Sequence, residues 1–206
     1  MPPRRPVVGM SVGNHFNDTV CLDLKEYIHN KSWILHMIDI GTRYSAAKLI
    51  TSKSQDVIIK NIFMMWICYF GSPSRFLSDN GGEFNNDSFR QMNEKLNIIT
   101  CTTAAESPFS NGTCERHNIV VYEAMMKVLE EEKCDPEMAL AWGVSAKNAL
   151  ANHSGHSPNE LVFGFNVNMG SVLTDELPAL DPTTTSDMVR MNINARNTAR
   201  KSFIEA

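Results

Sequence analysis

Three strand-like runs follow one another early in the chain, and their connections are too short to carry a crossover. The runs are Thr19 to Tyr27, Trp33 to Ile40 and Tyr44 to Thr51. The polar stretch Ile28-His29-Asn30-Lys31-Ser32 reads as a hairpin loop, and Gly41-Thr42 as the next turn. Parallel neighbours need a connection of a dozen or more residues. The three runs therefore predict an antiparallel meander.

The pattern then changes. Ser54 to Phe70 has helix length, with Ile58, Ile62, Trp66 and Tyr69 on one face, and Gly71-Ser72-Pro73 stops it. Arg75 to Ser78 is a short strand ending in the turn signal Asp79-Asn80-Gly81-Gly82. Asn86 to Leu96 predicts a helix, Ile98 to Thr103 a fifth strand, and Pro108 to Gly112 a loop. Helices follow from about Thr113 to Lys133 and from Pro136 to about Asn152. Ser157-Pro158-Asn159-Glu160 is a capped helix start with Pro at the first helical position. Residues 165–183 read as loop and 184–204 as a last, locally basic helix carrying Arg190, Arg196, Arg200 and Lys201. A meander extended by two strands through helical crossovers predicts an α/β fold: a mixed five-stranded sheet flanked by helices on both faces.

With 206 residues, 43% hydrophobic and 20% charged, the chain can bury one full core, and a disordered chain is excluded. No apolar run is long enough to span a membrane, and the start lacks the apolar core of a secretory signal, so no membrane partner and no secretion are expected. The five cysteines, Cys21, Cys68, Cys101, Cys114 and Cys134, are odd in number and lack CxxC spacing; they read as reduced core thiols. The net charge of −4 counts against coating nucleic acid by bulk electrostatics, but not against an acidic site whose cations meet phosphates.

Three carboxylates stand out by position. Asp23 lies mid-strand in CLDLKEY, Asp79 ends the fourth strand in FLSDNGGEF, and Glu115 opens a long helix in SNGTCERHN, with 35 residues between Asp79 and Glu115. Glu115, Asn118, Tyr122, Met125 and Leu129 share one helical face, and its apolar members must pack on the sheet. Glu115 is thus expected to turn inward toward the strand ends. Facing carboxylates repel unless a cation lies between them, and three of them can hold two Mg²⁺ ions for displacement at phosphorus. Each acid taken alone also reads as a turn former or a partner of the helix dipole.

Together these residues resemble the catalytic core of retroviral and long-terminal-repeat retrotransposon integrases, most like gypsy-type elements, or a transposon-derived domesticated relative. The resemblance runs from about Phe16 to Gly164. It is carried by Asp23, by Ser78-Asp79-Asn80-Gly81-Gly82-Glu83-Phe84, by Pro108-Phe109-Ser110-Asn111-Gly112-Thr113-Cys114-Glu115-Arg116, and by Ser157-Pro158-Asn159-Glu160-Leu161-Val162-Phe163-Gly164. It implies a ribonuclease-H-like fold, with Asp23, Asp79 and Glu115 as catalytic residues holding two Mg²⁺ (or Mn²⁺) ions.

Asp39 in HMIDIGTRY competes with Asp23. In the implied fold, strand 1 lies beside strand 4 and strand 2 one place further out. Asp39 would pair opposite Val20, about 10 Å toward the wrong strand end. Asp23 is therefore the better ligand, and Asp39 reads as a strand-end carboxylate.

Asn80, Asn111, Arg116 and Asn118 are candidates to brace the carboxylates or touch DNA, and Asn118 shares the face of Glu115. His153 and His156 have no cysteine pair beside them, so no zinc is expected in this chain. Residues 1–15 read as a linker, 16–164 as the catalytic core, and 165–206 as a C-terminal extension, a loop then a helix. The family's zinc-binding and C-terminal modules are not recognisable here.

The resemblance implies 3′-end processing and strand transfer on DNA in the integration of a retrotransposon. It also implies a homodimer or higher oligomer and a nuclear location, or a cytoplasmic one before nuclear entry. A domesticated, non-catalytic nucleic-acid-binding or scaffold protein on the same fold is the alternative, and a ribonuclease-H-type nuclease a third.

Overall fold

The computed structural model describes residues 15–27, 31–79, 81–102, 108–150, 155–166 and 187–204, with no side-chain description for 108–113 and 188. Five strands form one sheet: β1 (Thr19–Tyr27), β2 (Ser32–Asp39), β3 (Ser45–Ile50), β4 (Arg75–Ser78) and β5 (Ile99–Thr102), in the order β3-β2-β1-β4-β5. The meander β1–β2–β3 is antiparallel, whereas β4 runs parallel to β1 and to β5. The expected mixed sheet is present, and β4 and β5 are added through helices because parallel neighbours need crossovers.

Helix α1 covers Gln55–Ile62, passes through a π-helical turn at Phe63–Ile67 and closes with Cys68–Phe70. It is followed by α2 (Asp87–Lys95), α3 (Pro108–Glu131), α4 (Pro136–Ala149), α5 (Pro158–Phe163) and α6 (Asp187–Ile204). Helix α5 starts as its sequence predicts, with Ser157 and Glu160 in a reciprocal capping box and Pro158 in the first turn. The loop expected at Pro108–Gly112 is instead the first turns of α3. Proline costs nothing in a first helical turn, since its missing N–H has no intrahelical acceptor there. The linker reading of 1–15 lies outside the described residues apart from His15.

Strand alternation divides the core in two. Val20, Leu22, Leu35, Met37 and Phe76 point to one face and pack under α1 and α2 with Ile58, Ile62, Trp66 and Phe89. The opposite face carries Cys21, Tyr27, Ile34 and Ile38 against α3, α4 and α6. Helix α6, within the expected C-terminal extension, is packed into this second layer: Ala195 and Ala199 are fully buried, and Thr198 Oγ1 donates to Glu131 on α3 at 3.0 Å. No described helix is long and apolar enough to cross a membrane.

Candidate active site

Asp23 sits mid-way along β1 on the face covered by α3, and its pairing partner on β2 is His36. The β1–β4 register ends at Cys21 opposite Leu77. Continued by two residues, it brings Asp79 level with Asp23, just past the end of β4, on neighbouring strands about 4.8 Å apart. Helix α3 crosses above this point. Its Asn118 donates from Nδ2 to Asp23 Oδ2, and Glu115 lies one turn earlier on the same helical face. Burial raises the pKa of Asp23 above its ordinary value; the backbone N–H of Leu24 pulls it down, and the charges of Asp79 and Glu115 push it up again. Asp23 thus feels both other carboxylates. Carboxylates that repel one another are donors of the type suited to a hard cation such as Mg²⁺. Among the described residues, no three histidine, cysteine, aspartate or glutamate side chains are drawn together to ligating range.

Glu115 is exposed rather than turned inward, and Asp79 is exposed as well. The apolar face of α3 is built by Val121, Met125 and Val128, which lie over the sheet. Glu115 sits before them, where the helix overhangs the strand ends, and its side chain stays open to solvent.

The loop after β4 wraps Asp79 tightly. The N–H of Gly81 donates to Asp79 Oδ1 at 3.1 Å. A Cβ at residue 81 would lie 2.8 Å from the Glu83 carboxylate and 3.0 Å from Asp79 Oδ1. Asn80 lies outside the described residues, as does the side chain of Asn111, although residue 111 itself falls within α3. Arg116 is exposed on the residue after Glu115. It lines a cavity of about 210 Å³ with Arg43, His117 and Lys147.

Asp39 has a different role. It pairs with Val20, the register expected for it, and is fully buried. Its carboxylate accepts from the N–H of Asn17 at 3.0 Å, the N–H of Thr42 at 2.7 Å and Thr42 Oγ1 at 2.8 Å. Asn17 in turn accepts from Trp66 Nε1 at 2.8 Å. Asp39 therefore knots the β2–β3 turn to the segment before β1, and its acceptors are committed there.

Two features escape a reading of the sequence alone. Cys21 and Cys114 are disulfide-bonded across a separation of 93 residues, which corrects the expectation of reduced thiols. Odd cysteine number and missing CxxC spacing carry no information about which residues meet in space. Here Cys21, two residues before Asp23, meets Cys114, next to Glu115. The second feature is a buried polar chain behind Asp23. Asn118 Oδ1 contacts His36 Nδ1, His36 Nε2 lies 2.9 Å from Ser45 Oγ, and Lys147 Nζ donates to Ser45 Oγ at 2.7 Å and also to the carbonyl of Arg43. The one visible signal was His36, a polar residue inside the apolar strand SWILHMID.

Comparison with known proteins agrees with this architecture. The integrase core domain family model matches residues 13–108. The chain is 25% identical over 169 residues to the retrovirus-related Pol polyprotein from transposon 412 of Drosophila melanogaster, covering 80% of this chain. It is 27% identical over 159 residues to the Gag-Pol polyprotein of avian reticuloendotheliosis virus, covering 76% of it. It spans only 14% of the length of either polyprotein. Among solved structures, the HTLV-2 integrase catalytic core domain in complex with magnesium, in a trimeric form, superposes with a TM-score of 0.63 at 18% identity, over 71% of this chain and 97% of that one. The ribonuclease-H-like fold follows from that superposition, and the matched family and the polyprotein relatives show that the chain resembles retroviral and retrotransposon integrase catalytic cores.

Proposed function

We propose that this chain is the catalytic core of a DNA integrase, a polynucleotidyl transferase of a retrotransposon, in which Asp23, Asp79 and Glu115 hold two Mg²⁺ or Mn²⁺ ions. The observation that carries this reading is the environment of Asp23: a half-buried carboxylate whose pKa is raised in part by Asp79 and Glu115, at the junction of β1, β4 and α3. A cluster of that kind has no structural use as an isolated set of charges. The magnesium named with the HTLV-2 core supports the choice of metal.

When bound, the ions would activate an attacking oxygen and stabilise the leaving one. The chain's own residues do the rest. Asp23 is held by Asn118 and Asp79 by the Gly81 N–H, and Glu115 is presented from one turn before Asn118. No protein nucleophile is required. The substrate is DNA, first cut near the element's 3′ end and then joined through the freed hydroxyl to target DNA. The core works as a dimer or larger assembly, as the trimeric form of the HTLV-2 core supports, and acts in the nucleus.

The test is strand breakage and joining on labelled DNA ends with Mn²⁺ or Mg²⁺ at high protein concentration, in wild type and Glu115→Gln. Metal-dependent products from wild type alone support the reading. Equal activity in both sinks the catalytic assignment. No products from either, with DNA binding retained, would instead favour a domesticated binding protein on the same fold.

A further inference from the structure

Lys147 is an anomaly that phosphoryl transfer at the three carboxylates does not explain. It is 6% exposed, and its hydrogen bonds go to a hydroxyl and a backbone carbonyl. Among the described residues its ammonium makes no ion pair. Burying an ammonium without a counter-charge is costly, because the interior returns little of the hydration it loses. The structure shows what lies at the other end of its hydrogen bonds.

The proton order of that chain is fixed by its ends. A carboxylate only accepts, so Asn118 must present Nδ2 to Asp23, which turns its Oδ1 toward His36. That oxygen can only accept, so His36 carries its proton on Nδ1. His36 Nε2 is then a bare lone pair and must accept from the Ser45 hydroxyl. With its one proton committed, Ser45 Oγ is an acceptor for Lys147, which can only donate. Every link therefore points the same way, from ammonium to carboxylate. Asn148 clamps the backbone of Ser45: the Ser45 N–H donates to Asn148 Oδ1 at 2.9 Å, and the Ser45 carbonyl accepts from Asn148 Nδ2 at 2.7 Å. His36, Ser45, Lys147, Asn148 and Asn118 are all buried, and aligned hydrogen bonds in such surroundings polarise one another.

We infer that His36, Ser45 and Lys147 are positioning residues that act on Asp23 through Asn118, holding the carboxylate in one rotamer for the metal. The inference rests on the reading of Asp23 as a metal ligand. It assigns a role to four elements, β2, β3, α3 and α4, in shaping one side chain of β1.

Two measurements on the 206-residue chain test it. The first is the His36 tautomer by long-range ¹⁵N–¹H NMR. Free histidine favours the proton on Nε2, whereas the chain requires it on Nδ1. A His36 protonated on Nε2 would overturn the inference. The second is Mn²⁺ affinity by calorimetric titration, alongside the thermal midpoint, for wild type, Lys147→Met, Ser45→Ala and Ser45→Thr. Groups that orient metal ligands typically contribute about tenfold or more in affinity. Lys147→Met and Ser45→Ala should weaken Mn²⁺ binding by about that factor, and Ser45→Thr, which keeps the hydroxyl, should restore it. Lys147→Met should hold or raise the thermal midpoint, because replacing a buried charge by an apolar chain is often stabilising. Weaker metal binding in a more stable protein is not what loss of packing gives. Wild type that binds Mn²⁺ while all variants match it overturns the positioning role alone. Wild type that binds no Mn²⁺ sinks the metal reading of Asp23, and this inference with it.

Discussion

The two faces of the central sheet are built from the same strands, yet they are made of different material. Under α1 and α2 the layer is apolar: Leu22, Leu35, Met37, Ile58, Ile62, Trp66 and Phe76 are all fully buried. Under α3 and α4 the next residues along the same strands are Cys21, Asp23, His36 and Ser45, joined by Asn118, Lys147 and Asn148. Side chains alternate along a strand, so a one-residue step separates the two environments. One face gains free energy by excluding water, and the other offsets part of it by burying polar groups that must all be satisfied. The lesson is a division of labour: the dry face holds the sheet together so that the wet face can carry a repelling cluster of acids.

The sharpest way to break this division is to remove charge on the wet face. Glu115→Gln keeps the shape of an exposed side chain and removes a carboxylate. Turnover should fall by about a hundred- to a thousandfold, the usual cost of one preorganised electrostatic group. The thermal midpoint without metal should hold or rise slightly, since one repulsion with Asp23 is gone. A rate assay and a melting curve on the same preparation check both halves.

The converse change belongs on the dry face. Trp66 is fully buried, meets Phe70 edge to face at 5.1 Å between ring centroids and donates to Asn17. Trp66→Ala should cost about 3–5 kcal/mol of stability. Turnover per folded molecule should change little, because Asp23, Asp79 and Glu115 lie outside this apolar cluster. Denaturant titration measures the first effect, and activity normalised to folded protein the second. A large loss of activity at unchanged stability would show that the two faces are not separable.

Acid should attack the wet face first. Burial pushes the pKa of His36 down from 6.5 to about 4, the Asn118 hydrogen bond opposing and Lys147 assisting. Between these values the unfolded chain binds a proton that the folded chain refuses. Stability is therefore full above about pH 6.5 and is lost as pH falls toward 4. The shift corresponds to roughly 3 kcal/mol at about 1.4 kcal/mol per unit. Asp23, whose pKa is raised, works in the opposite direction: its contribution makes the fold less stable as pH rises above 3.8. Lys147, lowered to about 7 by burial and by Arg43, adds slope only at the upper end of this window, where the folded chain starts to release its proton, and that slope is common to wild type and variant. The difference between wild type and His36→Gln isolates the histidine. Denaturant titrations at pH 7 and pH 4.5 should show the wild type losing more stability than the variant.

How much of this was legible in the sequence also divides by face. The dry face and the strand order follow from local signals: alternation, short connections, capping at Ser157, and the register that places Asp39 opposite Val20. Asp23, Asp79 and Glu115 stand out only together: a strand end and a helix start are ordinary places for an acid, and it is their combination with a mid-strand Asp and the motif blocks around them that points to a site. The support behind them was invisible. Lys147 lies 124 residues from Asp23 and reaches it only through three other side chains, and Cys114 meets Cys21 across 93 residues. Local pattern cannot report contacts of that range. The loop expected at Pro108–Gly112 is helical for a different reason: a proline opening a helix breaks nothing.

The smallest expected effect tests how finely the wet face is set. Gly81 is not needed for its backbone freedom; it is needed because its neighbours leave no room. An added methyl would lie 2.8 Å from the Glu83 carboxylate and 3.0 Å from Asp79 Oδ1. Glu83 is a flexible side chain with a long contact to Lys53 at 3.8 Å, so it can swing away at little cost. Asp79 is shorter and is fixed by the Gly81 N–H, so it must rotate. Gly81→Ala should therefore change stability by no more than about 0.5 kcal/mol, as for an ordinary surface substitution. It should still lower turnover several-fold, since misplacing a reacting group by about an ångström is costly far beyond its effect on folding. The double variant Gly81→Ala, Glu83→Ala separates the two contacts. If the clash with Asp79 is what matters, removing the Glu83 carboxylate leaves the rate low. Recovery of wild-type turnover in the double variant would instead assign the effect to Glu83 and leave Asp79 free of the constraint.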